Sequence, residues 1–233
     1  MGIGLSRLWK KKRIGSMALD EVRFLKSRGT TLYLDVGANI GQTARGLRSA
    51  GWDGQIISFE PLPDCFQELH KSAISDSKWS ALNMALGDTD SMADMGVSKS
   101  RASSSLRKTT ELLTSIHEPT TYEATIQVPV KRLDTVLPGI ASDRDIIHLK
   151  IDTQGYEKNV VEGALGAIGR IDSIRMEVAI SEVYEGEMTL PDAILKMKEL
   201  GFLLVDAWNG WRHPRTNELL QLDLLFRTGA MSA

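Results

Sequence analysis

The chain has one cysteine, Cys65, in 233 residues, so no internal disulfide can form. It contains no apolar run near the roughly 20 residues that a helix needs to cross a bilayer. No basic segment leads into an apolar one as a secretory signal requires. No internal repeat is visible, and nothing in the pattern specifies an oligomeric state. A cytoplasmic protein is the expectation. What is present suits one globular domain with a sizeable core: 42% of residues are hydrophobic and 25% charged.

Acidic residues are missing from one stretch. Residues 1–13 hold Arg7, Lys10, Lys11, Lys12 and Arg13 and no Asp or Glu, within a chain of net charge −2. Setting those five aside leaves 23 basic against 30 acidic residues, a balance of −7. So acidic a body opposes a nucleic-acid phosphate backbone. "SRLWKKKR" reads as a solvated leading helix, with contact to an anionic membrane surface as the alternative. "MGIGLS" also fits the short N-myristoylation pattern, glycine with serine four positions on.

Along the chain, strand and helix patterns alternate. "MALDEVRFLKSRG" has helical spacing and a glycine stop; "TLYLDV" is a buried strand and "GQTARGLRSAG" the helix that it feeds. "QIISFE" is a second strand, "LPDCFQELHKSA" a helix opened by Pro63, and "WSALNMAL" a third strand. From about 87 to 137 the pattern gives way to turn signals, a serine cluster and short alternating runs, read as an insertion, part hairpin and part loop. Its segment 98–116 is expected to be a mobile flap.

Alternation then resumes with "DIIHLKID", "EKNVVEGALGAI", "IDSIRMEVA", "LPDAILKMKELG", "FLLVDAW" and "QLDLLFRT". The last two strands are joined by too few residues for a crossover helix and should be antiparallel neighbours. The expected fold is a doubly wound, mostly parallel seven-stranded α/β sheet with an antiparallel last strand, the Rossmann-like arrangement of class I methyltransferases. A leader over 1–30 precedes the main domain at 31–233.

The turn after the first strand separates two chemistries. A pyrophosphate cradle wants G-x-G-x-x-G, with a second glycine to admit the phosphates. Here Asn39 stands at that place, between Gly37 and Gly41. The sequence is D-x-G-x-x-x-G, beginning at Asp35, which suits S-adenosylmethionine: its sulfonium and amino acid need a carboxylate and a wider backbone pocket. A glycine turn that only permits strand-to-helix packing is the plainer alternative. "SFEP" then puts Glu60 at the second strand end, where an acid binds ribose hydroxyls. "NMALGD" ends the third, making Asn83, Ala85 and Asp88 adenine-side candidates or simply turn formers.

The turn, "FEP", "NMALGD", the serine cluster, "KRLDTV", "LKIDTQGYEKNVVEGA" and the closing "QLDLLF" occur in this order. In that ordered set the chain resembles the FkbM family of S-adenosylmethionine-dependent methyltransferases, from about Tyr33 to Phe226. The resemblance implies O-methylation of a hydroxyl on a sugar, glycan or polyketide-like small molecule. Gln154 departs from the family pattern, which carries an acid there.

In an open α/β sheet the ligand crevice lies beyond the carboxyl ends of the strands. Lys150 and Asp152 share one strand face there, and Glu177 ends the next strand. Asp152 is the candidate base, with Lys150 orienting it or steadying an oxyanion; a structural Lys150–Asp152 ion pair is the alternative. A divalent metal shared by Asp152 and Glu177 is the other reading, less favoured with Gln154 in place of a third acid. His148 reads as a hydrogen-bonded core histidine. "SEVYEGE", Trp208, Trp211 and His213 are acceptor-lining or packing residues. Competing functions are a nicotinamide-dependent oxidoreductase, a binding module on the same fold, and a methyltransferase acting on protein or nucleic acid.

Overall fold

A computed structural model describes residues 17–229, and the basic stretch at 1–13 lies outside them. A helix over 17–28 (α1) leads into β1 (Leu32–Val36), whose five residues are all buried because parallel neighbours flank it on both sides. Then follow α2 (Gln42–Ser49), β2 (Gln55–Phe59), α3 (Pro63–Ala73), β3 (Trp79–Leu82), β4 (Ala85–Leu86) and β5 (Ser91–Ser98). Next come α4 (Glu111–Ile116), β6 (Tyr122–Lys131), α5 (Leu133–Ile140), β7 (Ile147–Ile151), α6 (Glu157–Glu162) and β8 (Ile171–Ala179). The chain closes with α7 (Leu190–Glu199), β9 (Phe202–Asn209) and β10 (Gln221–Thr228).

Seven strands form the main sheet in the order β3-β2-β1-β7-β8-β10-β9. All pairs are parallel except those of β10, which runs antiparallel to both β8 and β9. The expected closing hairpin is thus present. The order reverses between β1 and β7, and the carboxyl ends of these two strands open the crevice there.

Two cores cover the sheet. One joins Leu34, Val36, Leu149, Ile151, Val160 and Met176 with the facing helices. The other seats Val22 and Leu25 of α1 against Tyr33, Trp52 and Leu69. Each fully buried leucine contributes roughly 1.5–3 kcal/mol relative to exposure. α1 also supplies a buried carboxylate: Glu21 pairs with Arg175 of β8 and accepts from the Tyr33 hydroxyl at 2.8 Å. His148 lies in the same buried network, its Nδ1 2.8 Å from the Ser173 hydroxyl, so it is the core histidine expected. The segment over 17–28, grouped with the leader by sequence, is thereby built into the sheet's face.

The structure divides "WSALNMAL" differently from the single strand expected. β3 stays in the main sheet, while β4 joins a second sheet of order β4-β6-β5. The break is at Asn83, whose side chain donates to the carbonyls of Glu60 at 2.8 Å and Pro61 at 3.1 Å and so pins a turn. β5 and β6 form the hairpin anticipated in the insertion. "EKNVVEGALGAI" likewise gives only the short α6 and then a 3₁₀ turn over Leu165–Arg170.

Candidate active site

The turn after β1 folds as its residues dictate. Gly37 has φ +73°, and a Cβ there would lie 1.9 Å from the Asp152 carbonyl oxygen, so only glycine lets β1 and β7 approach. Asn39 is left-handed at φ +49°, a conformation asparagine tolerates, and its Oδ1 accepts from the Ile40 N–H at 2.7 Å. Gly41, at φ +86°, faces backwards: a Cβ would meet the Trp79 ring at 2.8 Å. Its role here is packing, and it does not line the crevice.

Beneath the turn sits Lys150, 2% exposed on its side chain. Its ammonium lies 3.1 Å from Asp35 and 3.5 Å from Asp152, and donates to the carbonyls of Gly37 at 3.2 Å and Val36 at 3.4 Å. Burial alone would lower its pKa, but the carboxylates of Asp35 and Asp152 outweigh burial and raise it. Asp35 is fully buried and also accepts from the Ser58 hydroxyl at 3.3 Å. It holds Lys150 and is not on the crevice wall.

Glu60 ends the next strand and is 5% exposed. One carboxyl oxygen accepts the Asn39 N–H at 2.7 Å and the other the Leu62 N–H at 2.8 Å. Burial pushes its pKa up to about 7 against the pull of those two hydrogen bonds.

These residues wall a cavity of about 220 Å³. Gly37, Asn39, Glu60, Ala85, Lys150 and Asp152 reach it, and Leu62, Leu86, Met95 and Leu106 make an apolar side. Asn83 and Asp88 do not: Asn83 serves the turn described above, and Asp88 accepts from the Tyr156 hydroxyl at 3.3 Å. The segment 98–116 contributes Arg101, Ala102, Ser104 and Leu106 to the cavity wall. It is fastened: the Ser105 hydroxyl donates to the Gln154 carbonyl at 2.6 Å, Arg107 to Asn159 at 2.6 Å and Arg101 to Asp64 at 2.8 Å.

Asp152 and Glu177 are joined through an intermediary. The Gln154 amide donates to Asp152 at 2.8 Å and to Glu177 at 3.1 Å. Burial, then the charges of Asp152 and Asp223, push the Glu177 pKa well above the carboxylate range. Among the described residues no three His, Cys, Asp or Glu side chains converge for a metal.

Sequence reasoning missed two contributors, Glu157 and Asp223. Glu157 accepts from Thr153 N–H at 2.8 Å and Gly155 N–H at 3.3 Å, shaping the loop after β7; burial pushes its pKa up to about 7. Its acid in the first turn of α6 was a visible signal. Tyr184, inside the "SEVYEGE" run singled out by sequence, reaches Gln154. Asp223 sits opposite Glu177 in the β8–β10 register. Asp223 was not legible, since its place depends on long-range pairing. Trp211 packs against Leu113, Val183 and Tyr184, and His213 Nδ1 accepts two loop N–H groups at 3.2 and 3.1 Å, so these two build the framework.

A glycine turn without a pyrophosphate cradle, an acid at the second strand end and a reversed closing hairpin define a class I methyltransferase fold. Solved structures agree. A protein of Thermobifida fusca assigned as a methyltransferase superposes with TM-score 0.54 at 11% identity, over 94% of this chain and 81% of that one. Magnesium protoporphyrin IX methyltransferase from Synechocystis PCC 6803, with bound S-adenosylmethionine, gives 0.52 at 10% identity over 92% and 79%. A Listeria monocytogenes protein assigned as an S-adenosylmethionine-dependent methyltransferase gives 0.52 at 8% identity over 91% and 98%. No curated protein sequence matches significantly. The methyltransferase FkbM domain model matches residues 35–204, and the chain belongs to that family.

Proposed function

We propose that the protein transfers a methyl group from S-adenosylmethionine to a hydroxyl of a sugar, glycan or polyketide-like small molecule. The observation that carries the donor half is Glu60. Each of its oxygens already holds one backbone N–H, and each keeps a second lone pair for a ribose hydroxyl at the cavity wall. The apolar side made by Leu62, Leu86 and Met95 suits a purine, and the tight Gly37 turn leaves backbone exposed to the donor's amino acid. These residues fit the group. When bound, S-adenosylmethionine supplies an electrophilic methyl on its sulfonium.

The chain's own part is alignment and proton removal. Asp152, 39% exposed on its side chain, is the base for the acceptor hydroxyl. Lys150 orients it. A lysine has three N–H donors, and four oxygens already face this one, so it is committed to holding the turn and Asp152 rather than an oxyanion. Glu177 lies beyond Gln154 and is tied to Asp152 through its amide.

Asn39 favours this reading over a nicotinamide oxidoreductase, because its side chain folds onto the Ile40 N–H where a pyrophosphate cradle needs bare backbone. The acidic balance of the body argues against a nucleic-acid acceptor. Incubation with methyl-labelled donor and a panel of hydroxylated sugars and polyketides tests the acceptor class. Label transferred only to protein or RNA would replace it.

A further inference from the structure

The amide between the two acids is held from several sides. Gln154 Nε2 donates to Asp152 Oδ1 at 2.8 Å and Glu177 Oε2 at 3.1 Å, and its Oε1 accepts from the Tyr184 hydroxyl at 3.0 Å. The orientation of the amide follows from its surroundings: flipped, its oxygen would face the Asp152 carboxylate. Tyr184 is 1% exposed, so its hydroxyl is a fixed post. The backbone is fixed too. Gln154 has φ +59° and its carbonyl accepts from Ser105 at 2.6 Å.

A divalent ion shared by Asp152 and Glu177 would have to occupy the space between their inner oxygens, and the NH₂ group fills it. The outer oxygen of Asp152 already faces a cation, the Lys150 ammonium at 3.5 Å. One neutral group with two N–H bonds thus does for both acids what a metal would do. It gives the inner oxygen of each acid a donor and sets their separation.

We propose that the Gln154 carboxamide takes the place of a divalent cation between Asp152 and Glu177, leaving the pair metal-independent, and that an acid at this single position converts the same three residues into a metal site. The catalytic meaning of the pair rests on the methyltransferase reading; the metal behaviour does not.

The test is a manganese titration without donor or acceptor, following the free-ion electron paramagnetic resonance signal. Wild type is expected to leave the signal unchanged at millimolar metal, and Gln154→Glu to bind manganese about tenfold or more tightly than wild type. Asp152→Asn added to that variant should abolish the gain. Manganese binding by wild type that Asp152→Asn removes would overturn the proposal, as would no gain in Gln154→Glu. If circular dichroism shows Gln154→Glu unfolded, Gln154→Ala, which vacates the space, is the variant expected to gain affinity. No gain there is equally contrary. Donor calorimetry on the same preparations reports separately on the proposed function.

Discussion

The backbone N–H of Asn39 donates to the Glu60 carboxylate at 2.7 Å, tying the turn after β1 to the end of β2 across 21 residues of sequence. Glu60 is therefore a brace for the turn as well as the acid that faces the cavity. Because the carboxylate is buried, its own ionisation works against the fold even as it serves the site.

That conflict has a pH signature. Glu60 and Glu157 both have a pKa raised from 4.5 to about 7, so the folded state binds their protons more tightly than the unfolded chain does. Stability from these groups is present at low pH and is lost as pH rises through about 4.5 to 7, by up to about 3 kcal/mol each. Urea unfolding at several pH values should show a shallower fall in Glu60→Gln than in wild type. Identical slopes in the two proteins would contradict the assignment of Glu60.

Gly37→Ala should destabilise the protein by at least about 1–3 kcal/mol from backbone strain alone. The added Cβ would also sit 1.9 Å from the Asp152 carbonyl oxygen, forcing β1 and β7 apart. Thermal unfolding measures this, and a melting temperature equal to wild type would refute the close approach.

Asp152→Asn should lower turnover by about 10² to 10⁴, the usual contribution of a general base, with donor affinity little changed. Initial rates with labelled donor give the number. A fully active variant would remove Asp152 as the base.

The segment 98–116 is expected to gain hydrogen-exchange protection when donor and acceptor bind, since its Ser104 and Leu106 line the cavity. Its fastening to Gln154 and Asn159 limits the motion to a local opening. Equal protection in free and bound protein would make it a fixed wall.

Local pattern carried the fold far. The β1 run, the Pro63 helix start and the short final connection each state their structure within a few residues, and the sheet follows. The Gly37–Glu60 arrangement was legible for the same reason, because strand ends and glycines mark themselves. Position could not show direction. Asp35 and Gly41 sit in the motif yet face the protein interior, since a period-two strand and a left-handed glycine decide which way each points. Gln154 stood out in the sequence only as a departure from an acid. Only the long-range contact with Tyr184 reveals what the amide does.

The most direct test of the account is isothermal calorimetry with S-adenosylmethionine and with NAD on the wild-type protein and Glu60→Ala. The account predicts saturable binding of S-adenosylmethionine alone, weakened by roughly 1.5 to 3 kcal/mol in Glu60→Ala, the scale of a hydrogen bond to a charged group. Binding of NAD in its place, or S-adenosylmethionine affinity unchanged without Glu60, would contradict it.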